Sequence, residues 1–187
     1  SDPEFLNFDE VGTLEAFNSD GLRTLAETLT APNMKEKTLR YPGHIDKMRV
    51  LRESGFFSQD EIEVNGVKIK PIDFTSKLLF PMWELKEGDE EFTVMKIIVE
   101  GEKDKKKIRY TYNLLDRHDK KTNIHSMART TGYTATTMVR LLAKGMFDQK
   151  GICPPEYIGQ KPECVDFVLN ELKEKGVIYN KVIETLK

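Results

Sequence analysis

"EFTVMKIIVEGEKDKKKIRYTYNLLD", residues 91–116, is the stretch on which the fold turns. Its first part, residues 91–101, is almost continuously apolar. Its last part alternates: Ile108, Tyr110, Tyr112 and Leu114 fall at every second position, hence on one face of a strand. The charged link "EGEKDKKK" between them reads as a solvated hairpin tip, with a basic binding patch as the other reading. Two long strands joined this way predict a sheet, and their neighbours must cover it.

On the carboxyl side, "SMARTTGYTATTMVRLLAKG" (126–145) sets Ala135, Met138, Val139 and Leu142 at helical spacing, with Gly145 as a stop. That predicts a helix from Thr131 to Lys144. "PECVDFVLNELKEKG" (162–176) repeats the pattern through Val165, Val168, Leu169 and Leu172. "GICPPEYIG" (151–159) reads as an extended loop and "VIYNKVIETL" (177–186) as a final strand. On the amino side, "TLEAF" (13–17) is a strand with Leu14 and Ala16 on one face. "SDGLRTLAETL" (19–29) is a helix through Leu22, Leu25, Ala26 and Leu29, capped by Ser19 or Asp20. "MKEKTLRY" (34–41) is a strand with Lys37, Leu39 and Tyr41 on one face and Glu36, Thr38 and Arg40 on the other. "HIDKMRVLRESG" (44–55) is a helix that Gly55 ends. Residues 58–90 combine an Asn65-Gly66 hairpin with a helix up to Pro81, and read as an insertion into the main sheet. "SDPEF" (1–5) reads as a vector-derived scar and is set aside, leaving 6–187 as one domain that begins inside a longer gene. The fold class is α+β, a mixed β-sheet with helices packed on it.

Composition narrows the function. Across 187 residues, 39% are apolar, 32% are charged, and the net charge is −2. No general attraction to nucleic acid or an anionic membrane follows. No apolar run nears the roughly 18 residues that span a bilayer, and no signal peptide is visible. Cys153 and Cys164 form no paired motif, which fits a reduced, cytoplasmic chain. HExxH, GxSxG and Walker A motifs are absent. The 12 glycines include no GxGxxG turn, so no dinucleotide fingerprint is present. His44, His118 and His125 are too dispersed for a metal site.

Arg40 stands out. It sits on the polar face of a strand that stops at Pro42-Gly43, just before a helix. Strand ends and helix N-termini favour anions, and a guanidinium there grips a carboxylate through two parallel hydrogen bonds. A structural pair with Glu15 or Glu36 is the equal alternative. His44 follows as a helix-entry residue, facing solvent or substrate. "SMARTTGY" repeats the theme: Arg129, Thr130 and Thr131 precede the expected helix start. In "FNSDGL", Asn18 and Asp20 suit a cap or an amine.

These segments resemble the carboxyl-terminal part of the saccharopine dehydrogenase family. "LEAFNSDGLRTL", "KEKTLRYPGH", "LRESGFF", "FTVMKIIVEG", "YNLLDRHDKKTNIHSMARTTGYTAT" and "GICPPEYIG" occur in the family's order and cover nearly the whole chain. The resemblance implies an amino-terminal Rossmann domain binding NAD or NADP, absent from this sequence. It implies that the portion in hand is a substrate-binding and dimerisation domain of the glyceraldehyde-3-phosphate-dehydrogenase-like C-terminal class, working as a homodimer. The implied reaction is reversible hydride transfer at the C–N bond of saccharopine, in lysine metabolism. Arg40 matches the family's substrate-gripping arginine, with Tyr41, Asn18, Asp20, Arg129 and Thr130 implied to line the same cleft. The helix from Thr131 resembles one that packs against the Rossmann domain. No catalytic acid or base is assigned here. Relatives acting on carboxynorspermidine or lysine, or a non-catalytic dimerisation module, are the alternatives.

Overall fold

The computed structural model describes residues 2–186. The chain divides into two compact units, one ending at Glu87 and one starting at Gly88. Residues 58–90 straddle that boundary.

The first unit is built on a three-stranded antiparallel sheet in the order β1 (Glu4–Phe8), β2 (Gly12–Asn18), β3 (Lys37–Arg40). Reading residues 1–5 as a scar hid β1, because Glu4 pairs with Ala16 and Phe5 with Glu15. Leu14 and Ala16 are buried on one face, as alternation requires. The helix expected over 19–29 shrinks to the single turn α1 (Leu25–Thr28). Arg23 takes a left-handed φ of 47°, which a continuous helix cannot contain. The Ser19 hydroxyl donates to Glu36 instead of capping.

α2 (His44–Glu53) is entered at Gly43 and followed by Gly55, both left-handed at φ 87° and 82°. There glycine is the residue without a Cβ penalty. β4 (Ile62–Val64) and β5 (Val67–Ile69) form the expected hairpin, with Asn65 and Gly66 at positive φ. α3 (Pro71–Trp83) runs on past Pro81 rather than stopping there. The bond lost to the missing Pro81 N–H would have gone to the carbonyl of Lys77, an exposed residue near the helix end, so water can replace it.

The second unit carries a sheet in the order β6 (Phe92–Lys103), β7 (Lys106–Arg117), β8 (Asn180–Thr185), antiparallel throughout. The charged tip is only Asp104 and Lys105, both left-handed, and the strands run up to it. Three helices follow: α4 (Ser126–Ala143), α5 (Pro155–Gly159) and α6 (Pro162–Glu174). α5 lies where an extended loop was expected, begun by Pro155 at its first position. Leu114 of β7 packs with Leu172 and Val177, and Leu141, Phe147 and Cys164 form a second cluster. Both cysteines are free thiols.

Two expectations are corrected. The α+β class holds, but among the described residues every strand pair is antiparallel and the strands form three separate sheets, not one mixed sheet. Most of these neighbours are joined by short hairpins, which impose antiparallel pairing. The helix α4 also buries a different face from the apolar stripe. Ser126, Arg129, Thr137 and Leu141 are buried, whereas Val139 and Leu142 are exposed at 66% and 51%. The inward face combines Leu141, which packs with Phe147 and Cys164, with Arg129, whose guanidinium meets the buried Asp116. Among the described residues no helix is long and apolar enough to cross a membrane.

Candidate functional site at the end of β3

The register of β2 and β3 sets the site. Glu15 stands opposite Arg40 and Phe17 opposite Thr38, so all four share one sheet face. The Pro42-Gly43 breaker then turns the chain so that α2 starts over that face. Two contacts fix it there. The Ile45 backbone N–H donates to Glu15 Oε2 at 3.2 Å. The His44 ring stacks on Phe17 at 6.1 Å with an interplanar angle of 11°. The anion at the α2 N-terminus is therefore the chain's own Glu15, which is 6% exposed.

Because Glu15 is engaged by α2, it does not close an ion pair with Arg40. Arg23, Arg49, Arg52, Arg109, Arg129 and Arg140 each have an Asp or Glu oxygen within 4.0 Å. Arg40 has no such partner among the described residues. Nη1 donates to the Leu39 carbonyl, at 2.8 Å, and the residue is exposed. Neither alternative from the sequence is realised: Glu15 caps α2, and Glu36 accepts from Ser19 and from the Gly21 N–H. Tyr41 follows at 63% exposure and its carbonyl accepts the His44 N–H. Arg40 and Tyr41 are thus exposed and consecutive at the end of β3, and the half-buried His44 follows at the start of α2.

Burial, followed by the nearby Arg40 charge, holds the His44 pKa below its ordinary 6.5, with Glu15 acting in the opposite sense. The neutral ring is favoured in the folded state, so the unfolded chain binds this proton more readily. The resulting stability is full above about pH 6.5 and is lost as pH falls through the lowered folded value. Denaturant midpoints recorded from pH 7.5 to 5 are expected to fall less steeply in His44→Asn than in the parent chain. Parallel curves would reject this linkage.

Other sequence candidates lie elsewhere. Asn18 pairs with Lys37, on the opposite sheet face from Arg40 and about 10 Å along the strands, at roughly 3.3 Å per residue. Asp20 is exposed and pairs with Arg23 at 3.4 Å. Antiparallel pairing puts the carboxyl end of β2 beside the amino end of β3, so the structure does not bring Asn18 and Asp20 to Arg40 and Tyr41. The rule that strand ends share a ligand belongs to parallel sheets.

Arg129 and Thr130 belong to the second unit and sit inside α4, which starts at Ser126 rather than after them. The α4 N-terminus is capped by Glu91, whose carboxylate accepts from the Ser126 N–H and hydroxyl. Thr130 donates back to the Ser126 carbonyl at 2.9 Å. Arg129 is buried, with Nε at 3.0 Å from Asp116 Oδ2, Nη1 at 3.4 Å from Asp119 and Nη2 at 3.1 Å from the Lys175 carbonyl. The Asp116 hydrogen bonds raise its pKa further, so it stays cationic. This cluster holds α4 to β7 and to the turn after α6.

Sequence reasoning named Glu15 as an ion-pair partner for Arg40, not as the anion at the α2 N-terminus, and passed over Phe17. Alternation in β2 sets them on one face, but only the pairing register shows that this face is Arg40's.

The model of the saccharopine dehydrogenase C-terminal domain matches residues 1–177. The chain is also similar to a carboxyaminopropylagmatine dehydrogenase of Synechocystis sp., at 29% identity over 143 residues, 75% of this chain. The match covers 35% of that relative, so the chain spans about a third of its length.

Proposed function

This chain belongs to the saccharopine dehydrogenase family, and from that premise we propose that it is the substrate-binding and dimerisation portion of an NAD- or NADP-dependent oxidoreductase acting on the C–N bond of a saccharopine-like amino acid. The observation that carries the reading is Arg40, an exposed guanidinium with no carboxylate partner among the described residues, beside Tyr41 and His44. A polycarboxylate supplies the missing anion. The role of these residues is positioning: they fix the substrate so that its amine carbon can meet a hydride acceptor. Arg129 and Thr130 take the supporting part of anchoring α4.

The residues present do not suit a dinucleotide. Strand pairs are antiparallel and no glycine-rich strand-to-helix turn occurs in the sequence. In this reading the nicotinamide is bound by another part of a longer protein and supplies the hydride chemistry there. The exposed Val139 and Leu142 on α4 are the apolar surface offered to that part. The same reading carries a cytoplasmic setting in lysine metabolism and the glyceraldehyde-3-phosphate-dehydrogenase-like C-terminal architecture.

The substrate class is tested by competition binding. Saccharopine is expected to bind more tightly than lysine, because it offers Arg40 more carboxylates. Carboxynorspermidine and carboxyaminopropylagmatine belong in the same series, the latter because the Synechocystis relative is named for it. A folded dimer that binds none of these amines would favour a non-catalytic module.

Homodimerisation, in this reading, rests on the uncovered end of the core face of the second sheet. Val99, Tyr110 and Ile183 are paired across β6, β7 and β8 and so share the face of buried Leu114. Val99 and Ile183 are nonetheless exposed, at 54% and 56%. Val99→Glu with Ile183→Glu is expected to convert a dimer to a monomer in sedimentation experiments while leaving the far-ultraviolet circular dichroism unchanged. An unchanged dimer would place the interface elsewhere.

A further inference from the structure

The second unit sets two thiols on one apolar cluster. Cys164, in the first turn of α6, is 0% exposed and is buried with Leu141 and Phe147. Cys153 packs against the same cluster from the segment between α4 and α5, and is half-buried. Both are free thiols. Each sulfur also lies against the backbone of one short stretch that follows α4. Cys164 Sγ is 3.5 Å from the Met146 carbonyl, and Cys153 Sγ is 3.8 Å from that of Gln149 and 3.7 Å from that of Gly151. Residues 147–154 form neither helix nor strand, and Gly151 among them is left-handed at φ 95°. A disulfide needs Cα atoms roughly 4.4–6.8 Å apart, and this irregular backbone is the part free to adjust, since α6 is held by its own hydrogen bonds. The two thiols differ in a way that orders their chemistry. A small oxidant from solvent meets the half-exposed Cys153 first, and the buried Cys164 is the second sulfur on the same cluster.

We propose that Cys153 and Cys164 are a peroxide-responsive dithiol, in which Cys153 is oxidised and Cys164 resolves it. The pairing needs nothing from the substrate reading. In the first step the Cys153 sulfur attacks the O–O bond of a hydroperoxide. An S–O bond forms and the O–O bond breaks. Two electrons pass from sulfur to peroxide, and the thiol proton leaves with the departing alcohol, or with water when the oxidant is hydrogen peroxide. In the second step the Cys164 sulfur attacks the Cys153 sulfur. An S–S bond forms, the S–O bond breaks, and the hydroxyl leaves as water with the Cys164 proton. A dithiol reductant returns both thiols by exchange. The bridge encloses α5 and ties the segment after α4 to the first turn of α6. In a reducing compartment such a bond is a transient signal, not a permanent staple.

The test treats the 187-residue chain with a small excess of hydrogen peroxide near neutral pH. Remaining thiols are then alkylated in denaturant and the peptides mapped by mass spectrometry. Both thiols are expected to disappear together, with the loss of two hydrogens and a single peptide pair joined through Cys153 and Cys164. A dithiol is expected to restore both. In Cys164→Ser, Cys153 is expected to stop at the sulfenic acid, captured by dimedone. In Cys153→Ser, Cys164 is expected to react at least about tenfold more slowly, because it is shielded from solvent. The proposal is overturned if Cys153 gains oxygen while Cys164 remains open to alkylation, or if chains link to one another through Cys153. It is equally overturned if neither thiol reacts while free cysteine in the same tube is consumed. The peptide map of the parent chain decides by itself, so a Cys164→Ser chain that fails to fold leaves the test standing.

Discussion

Arg129→Ala is expected to destabilise the unit from Gly88 onward by about 3–5 kcal/mol, the cost of leaving a buried carboxylate without its partner. Asp116 is 4% exposed and Arg129 8%, so water cannot replace the lost bonds. The guanidinium also links two further places, Asp119 and the Lys175 carbonyl. For a unit near 100 residues, a loss of this size lowers the melting temperature on the order of 15–30 °C. Thermal unfolding followed by circular dichroism reads it directly. The paired replacement Arg129→Met with Asp116→Leu is expected to restore most of the stability, because it removes both charges together. That pair also separates two roles for Arg129. If it only anchors α4, the refolded double variant binds saccharopine as the parent does. If its guanidinium reaches substrate, affinity drops although stability has returned.

The contrast between Arg129 and Arg40 shows how far sequence carries. Both precede or open a helix in the sequence, and both look like anion grips. What separates them is where their carboxylates lie. Asp116 is 13 residues before Arg129 and on a different element, so local spacing does not reveal the pair. Strand alternation was legible because period-two patterns depend on near neighbours: β7 runs as read, with Leu114 buried. The Asn65-Gly66 and Gly43 turns were legible for the same reason, since a positive φ is a demand on one residue. The buried face of α4 was not. Val139 and Leu142 of its apolar stripe point outward, and the Arg129 buried on its inward face is satisfied by Asp116 on β7. Likewise, Glu15 and Glu91 cap α2 and α4 from 30 and 35 residues away. The helix ends that looked open to a ligand are closed by contacts that no window of sequence contains.

Arg40→Ala is expected to weaken saccharopine binding by on the order of 1.5–3 kcal/mol, about 10- to 150-fold, the worth of a charge-assisted contact. The fold is expected to tolerate it. Arg40 is exposed, ends its strand, and has no ion pair to lose among the described residues, so its stability change belongs with ordinary surface substitutions, within about 0.5 kcal/mol. The experiment therefore isolates recognition from folding, which Arg129 does not allow. Arg40→Lys sharpens it. Lysine keeps the charge but lacks the planar fork, so affinity is expected to fall between the parent and the alanine variant if the carboxylate is held by two parallel bonds. Equal affinity in the lysine variant would mean that charge alone matters. Calorimetric affinities within twofold for Arg40→Ala would remove Arg40 from the site, and with it the argument that an exposed guanidinium without a carboxylate marks where the substrate binds. Such a result would turn attention to other cations near the start of α2, first Lys47, whose charge also lowers the pKa of His44.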